Sequence, residues 1–135
     1  MLVLRPPATA LAYPKFWLLI GGALVALLLY GSLAPAEALP PLGGSDKLWH
    51  AGSYFVVMAY FSQIYTPLRT RLLIAVALIA LGVAVEFIQP YVNRQFEWRD
   101  AFANSVGVAC AWLMSLSPLG LILRCVDAWL KGALR

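Results

Sequence analysis

The sequence predicts an all-α integral membrane protein: a four-helix bundle followed by a C-terminal interfacial amphipathic helix. Three observations carry this. Of the 135 residues, 62% are hydrophobic and 12% charged, against nearer half and a quarter in a soluble domain. Ten basic and six acidic residues are too few to coat a globule of this size. Four stretches approach the roughly 20 apolar residues that a helix needs to cross a bilayer. Nothing in the composition divides the chain, so residues 1–135 read as one domain. The sequence has no Gly-rich phosphate loop, no basic stripe interleaved with aromatics and no internal repeat, which argues against a phosphate-loop enzyme and a nucleic-acid partner. The net charge of +4 is read as a topology signal.

The first span covers about 16–34, "FWLLIGGALVALLLYGSLA". It follows Arg5 and Lys15 and precedes "APAEA", but its apolar stretch exceeds the roughly 7–15 residues of a signal-peptide core, so it reads as an uncleaved anchor. The second span covers about 48–65, the third 72–91 and the fourth 100–116. The connectors "PAEALPPLGGSD", "TPLRTR" and "VNRQFEWR" carry the proline, charge and polarity that end helices. After Pro118, at about 118–134, Leu119, Ile122, Leu123, Val126, Trp129 and Leu130 recur at helical spacing among Arg124, Lys131 and Arg135. That pattern reads as an amphipathic helix on the membrane surface. Cys110 and Cys125 have no partner spacing and read as packing residues.

Basic residues set the orientation. Arg5, Lys15, Arg69, Arg71, Arg124, Lys131 and Arg135 fall on one side; Lys47, Arg94 and Arg99 fall on the other. The first side is expected to be cytoplasmic, with both termini inside. Trp49, Tyr91 and Trp98 are expected in the outer aromatic belt, and Tyr13, Trp17 and Tyr65 in the inner one.

The candidate site lies at the outer ends of three spans. "SDKLWHAGSYF" opens the second span, and Asp46, His50 and Tyr54 share one face at four-residue spacing, with Ser45 or Asp46 as cap. "EFIQ" near the end of the third span sets Glu86 and Gln89 on one face. "RDAFANSVG" opens the fourth with Asp100 and Asn104 on one face and Gly107 for close helix approach. Up-and-down threading brings these groups to one depth. His50 can give or take a proton, with Glu86 and Asp100 as further candidate catalytic groups. Asp46, Lys47, Tyr54, Gln89, Arg94, Arg99 and Asn104 are the candidate ligand-binding residues, and Lys47, Arg94 and Arg99 suit a phosphate or carboxylate. No metal or other cofactor is expected from spacing, although Asp46, His50, Glu86 and Asp100 are the donor types that hold a divalent cation around a diphosphate.

Three blocks resemble the VanZ-like family of four-span bacterial membrane proteins. "DKLWHAGSY" resembles its D-K-x-x-H-x-x-x-Y, "EFIQ" its E-x-x-Q, and "RQFEWRDAFANSVG" its R-x-x-x-x-x-D-x-x-x-N-x-x-G, in that order across about 15–117. Where the family often has glycine before the arginine of the third block, this chain has Asn93. The resemblance implies a multi-pass protein of the bacterial inner (cytoplasmic) membrane with a cell-envelope role and a link to teicoplanin resistance; it implies no defined reaction and leaves open whether the chain is an enzyme. The expected function is to bind or process a polar lipid-linked or peptidoglycan-related ligand, with membrane lipids and a lipid-linked phosphate or saccharide as partners and no oligomeric state fixed. The alternatives are an accessory protein whose polar cluster only stabilises the bundle, and a small transporter, which the absence of an inward polar path disfavours.

Overall fold

The computed structural model describes residues 10–38, 43 and 45–134. Among these, every regular element is helical: α1 (Pro14–Leu33), α2 (Asp46–Ile64), α3 (Leu68–Ile88), α4 (Trp98–Met114) and α5 (Ile122–Ala133), with 3-10 turns at Ala36–Ala38, Gln89–Val92 and Pro118–Leu121. Pro14 opens α1 and Pro67 directly precedes α3, where a missing N–H costs nothing. Pro67 also ends α2, because the residue before a proline avoids helical angles. The helix starting at Leu68 takes in Arg69 and Arg71, which the sequence had suggested as loop residues.

Two elements are long and apolar enough to cross a membrane: α1 and the stretch Leu68–Val92. A third counts if α4 and Pro118–Ala133, bent by 84°, are taken as one broken span. The expectation of four similar spans is therefore met in part. α2 carries Asp46, Lys47, His50, Ser53, Ser62 and Gln63 among its 19 residues, and α4 has 17, about 25 Å at the helical rise.

The long helices run alternately up and down. Buried Leu28, Tyr54, Val57, Met58, Ala75, Leu78, Val108 and Ala111 pack between them at mid-height. α2 and α4 run parallel and nearly touch through their backbones. A Cβ placed on Gly107 would lie 2.0 Å from the carbonyl oxygen of Ala51, so only glycine fits there.

Helix ends are closed by side chains from other helices. At the Arg71 end, the Arg71 Nε donates to the carbonyls of Ser62 and Tyr65 (both 2.9 Å), and its NH1 to that of Ser115 (2.7 Å). Arg124 NH2 donates to the carbonyl of Ile64 at 3.0 Å. The last carbonyls of α2 and α4 lack helical partners, and guanidinium groups both satisfy them and complement the helix dipole. Asp127 does the converse for α1. Its carboxylate accepts from the backbone N–H of Ala12 (2.6 Å) and of Tyr13 (3.2 Å), and from Trp17 Nε1 (2.7 Å). Burial pushes the Asp127 carboxyl up, but these three hydrogen bonds and nearby Lys131 outweigh it and hold its pKa below the ordinary value.

These contacts revise several expectations. Trp17 is buried rather than set in an aromatic belt, whereas Trp49, Tyr91, Trp98 and Tyr65 are exposed as belt residues would be. Arg71 and Arg124 are buried helix caps, although they remain at the end assigned by the charge count; Arg5 and Arg135 lie outside the described residues. Cys110 and Cys125 are exposed instead of packed inside. The apolar stripe of α5 is split: Leu123 packs with Trp17 and Ile64, while Ile122, Val126 and Trp129 point outward.

Two outcomes follow. Gly107→Ala is expected to destabilise the protein by the upper end of the about 1–3 kcal/mol typical of overpacking, read as a lowered Tm in detergent. Asp127, with its pKa depressed by folding, lends stability that is complete above the ordinary aspartate value near 3.8 and is lost as pH falls through the lower folded value. The Tm difference between parent and Asp127→Asn should therefore be constant near neutrality and shrink below pH 3.8.

Candidate functional site

The alternation of helices gathers the starts of α2 and α4 with the end of α3. His50, on the second turn of α2, is nine-tenths buried. Its Nδ1 lies 3.2 Å from Asn104 Oδ1 on α4; an amide oxygen only accepts, so Nδ1 donates. The other ring nitrogen, Nε2, lies 3.3 Å from Asp100 Oδ2 and 3.9 Å from Asp46 Oδ2. Asp100 Oδ1 also receives Lys47 Nζ, and Lys47 reaches Glu97 Oε2 at 2.6 Å and Asp46 Oδ2 at 3.6 Å.

From Glu97 the network continues to α3. Its backbone N–H donates to Glu86 Oε2 at 3.3 Å. Glu86 is fully buried. Its Oε1, the Tyr54 hydroxyl and Asn104 Nδ2 have no hydrogen-bond partner among the described residues. Gly82 admits this arrangement: a Cβ there would meet Asn104 Nδ2 at 3.3 Å and the Tyr54 ring at 3.4 Å. Buried polar groups without a partner are rare, which makes this cluster the candidate site.

The remaining candidates behave differently. Gln89 Nε2 donates to the Ser32 carbonyl at 3.1 Å, and Arg94 NH1 to the carbonyls of Gly31 (3.0 Å) and Ala34 (3.3 Å). Both close the C-terminal end of α1. Among the described residues Arg94 makes no ion pair with Asp46, and neither Arg94 nor Arg99 pairs with Glu86; Arg94 is held by backbone carbonyls instead. Arg94 Nε and NH2 make no hydrogen bond among the described residues. Arg99 is exposed, and its side chain joins no ion pair among the described residues. Ser45 precedes α2 but makes no side-chain cap. Asn93, in the turn before Arg94, has φ 60° and ψ 33°, the left-handed region where asparagine is the best substitute for glycine; its place in the third block is thus chemically sound.

Beside this network, between α1 and α2, lies a cavity of about 420 Å³. Leu24, Leu27, Leu28, Val56 and Val57 line its apolar part, and Asp46, Trp49, His50, Ser53 and Arg94 its polar rim. Glu97 is the functional residue that sequence reading missed. It stands in the loop-like run "RQFEW", where no helical periodicity assigns it a face. Ser32 and Gly31 were missed because they contribute backbone carbonyls, which residue types do not reveal.

Comparison with known proteins gives no counterpart: no family model, curated protein or solved structure matches the chain. The site is therefore read from its own chemistry.

Asp100 faces Lys47 and His50 from a buried position, whereas Glu97 holds Lys47 at a half-exposed one. Asp100→Asn is expected to cost about 2–3 kcal/mol, as for a buried bond to a charged group. Glu97→Gln should cost under about 1 kcal/mol. Thermal unfolding of the two variants measures the contrast.

Proposed function

We propose that this chain is a VanZ-like four-span protein of the bacterial inner membrane, with both termini cytoplasmic and α5 on the inner surface. In this reading it binds, and with His50, Glu86 and Asp100 processes, an amphipathic ligand of the lipid-linked phosphate or peptidoglycan-precursor class. The observation that carries it is the cavity between α1 and α2, apolar along its length and polar at one rim. Such a slot suits an acyl or prenyl chain below and an anionic head above. Arg94 has a half-buried guanidinium with Nε and NH2 available at that rim, the geometry of a bidentate phosphate clamp. The three sequence blocks support the family reading, and teicoplanin resistance follows only through it.

A second reading, an accessory membrane protein, is favoured by the Gln89 and Arg94 contacts to α1, which fasten helices without needing a ligand. The two separate in one experiment. The full chain in nanodiscs is loaded with a polyprenyl phosphate or with the uncharged polyprenol and analysed by native mass spectrometry. The ligand reading expects the phosphate to be retained, at least tenfold less so in His50→Ala and in Leu24→Trp, which fills the slot. Equal retention of phosphate and polyprenol, or of phosphate by parent and Leu24→Trp, contradicts it and leaves the accessory reading.

A further inference from the structure

We infer that Asp46, His50 and Asp100 form a binding site for one divalent cation at the rim of the cavity. One oxygen of each carboxylate and one ring nitrogen of His50 lie within 4.8 Å of one another. Ligand atoms about 2.0–2.2 Å from a common ion sit at such separations after small rotations of exposed Asp46.

The sequence offers these three residues as donor types but no compact ligand spacing. Asp46 and His50 are four apart on α2, and Asp100 joins them only because Gly107 lets α4 run against the backbone of α2. Glu86, the fourth donor considered from the sequence, is not in the set: it is turned to the Glu97 backbone.

Three features beyond the acidic groups point to a cation. First, Asn104 Oδ1 stands 3.2 Å from Nδ1 of His50, in place to receive a proton carried there. In the tautomer with the proton on Nδ1, the Nε2 lone pair faces the carboxylate oxygens of Asp46 and Asp100. Metal-bound imidazoles are oriented in this way by a hydrogen bond at the other nitrogen. Second, His50 is nine-tenths buried, and no hydrogen bond engages its Nε2, whose contacts to Asp46 and Asp100 are ion-pair distances only. Third, the charges do not balance. Asp46, Glu97 and Asp100 present three carboxylates to the one ammonium of Lys47. Lys47 takes Oδ1 of Asp100, so Oδ2 stays on the side of His50. Of the three only Asp100 is buried, and a divalent ion beside it would offset the excess negative charge.

One imidazole and two carboxylates suit an ion of the Mn²⁺ or Mg²⁺ class with open coordination positions. Asp46 is largely exposed, so the open side faces the cavity rim. There the ion and Arg94 would grip a phosphate from two sides. That role rests on the ligand reading above; binding of the ion does not.

The test uses Mn²⁺ alone. It is titrated into the full chain in phosphatidylcholine nanodiscs containing no polyprenyl phosphate, with free Mn²⁺ read by electron paramagnetic resonance. One ion per chain is expected. Affinity should fall at least tenfold in His50→Gln and Asp46→Asn, and stay unchanged in Glu37→Gln, an acidic change in the Ala36–Ala38 turn. Asp46 is exposed, so its variant tests the site even if substitution at His50 disturbs folding. No stoichiometric binding, or equal affinity in parent and Asp46→Asn, overturns the site. Mn²⁺ bound with no polyprenyl phosphate retained would keep the site and remove the lipid reading.

Discussion

A polar group removed from water must find its partner inside the chain, and in this protein that requirement acts at the helix ends. Apolar side chains alone distinguish poorly between one packing and another. Arg71, Arg124 and Asp127 at one end, and Gln89 and Arg94 at the other, each reach the backbone of a helix distant in sequence. The contacts fix which helix ends lie together. Once α2 and α4 are held parallel with their last carbonyls on Arg71 and Arg124, their first turns must also meet. Asp46, Lys47 and His50 are then brought against Asp100 and Asn104. The site at one end is thus a consequence of caps at both.

Within the site, the same requirement is met incompletely. Lys47 and the Glu97 backbone satisfy part of the acidic set, and Asn104 satisfies one side of His50. Tyr54, Glu86 Oε1 and Asn104 Nδ2 remain buried without partners among the described residues. The structure keeps three helices close enough to bury these groups through Gly82, where a Cβ would crowd Asn104 and the Tyr54 ring, and Gly107, where it would collide with the α2 backbone. Small residues here trade packing volume for polar convergence. The adjacent cavity has charge at its rim and hydrocarbon along its wall, the division that the proposed amphipathic ligand would share.

Much of this was legible in the sequence. Helix positions came from apolar length and from prolines, and each boundary lies within a few residues of expectation. Convergence of His50, Glu86, Asp100 and Asn104 followed from spacing and antiparallel threading. What was not legible depended on backbone atoms and on long reach. Residue types do not show that Arg94 serves the Gly31 and Ala34 carbonyls, or that Arg71, on the first turn of α3, caps α2 and α4. Nothing in its residue type shows that Asp127 closes α1 more than a hundred residues away. Glu97 had no periodicity to give it a direction. Asp46, His50 and Asp100 were already readable as donor types; that Glu86 would turn away from them was not.

The central claim is that charges on different helices hold the site together, and the Lys47–Asp100 pair between α2 and α4 is where it is most exposed to test. A double-mutant cycle with Lys47→Met and Asp100→Asn, read by equilibrium unfolding in detergent, measures that pair directly. Coupling of about 0.5 kcal/mol or more, with the double variant more stable than the sum of the singles, is the predicted result. Additive effects would mean that the two groups do not sense each other, and the site as described here would not exist.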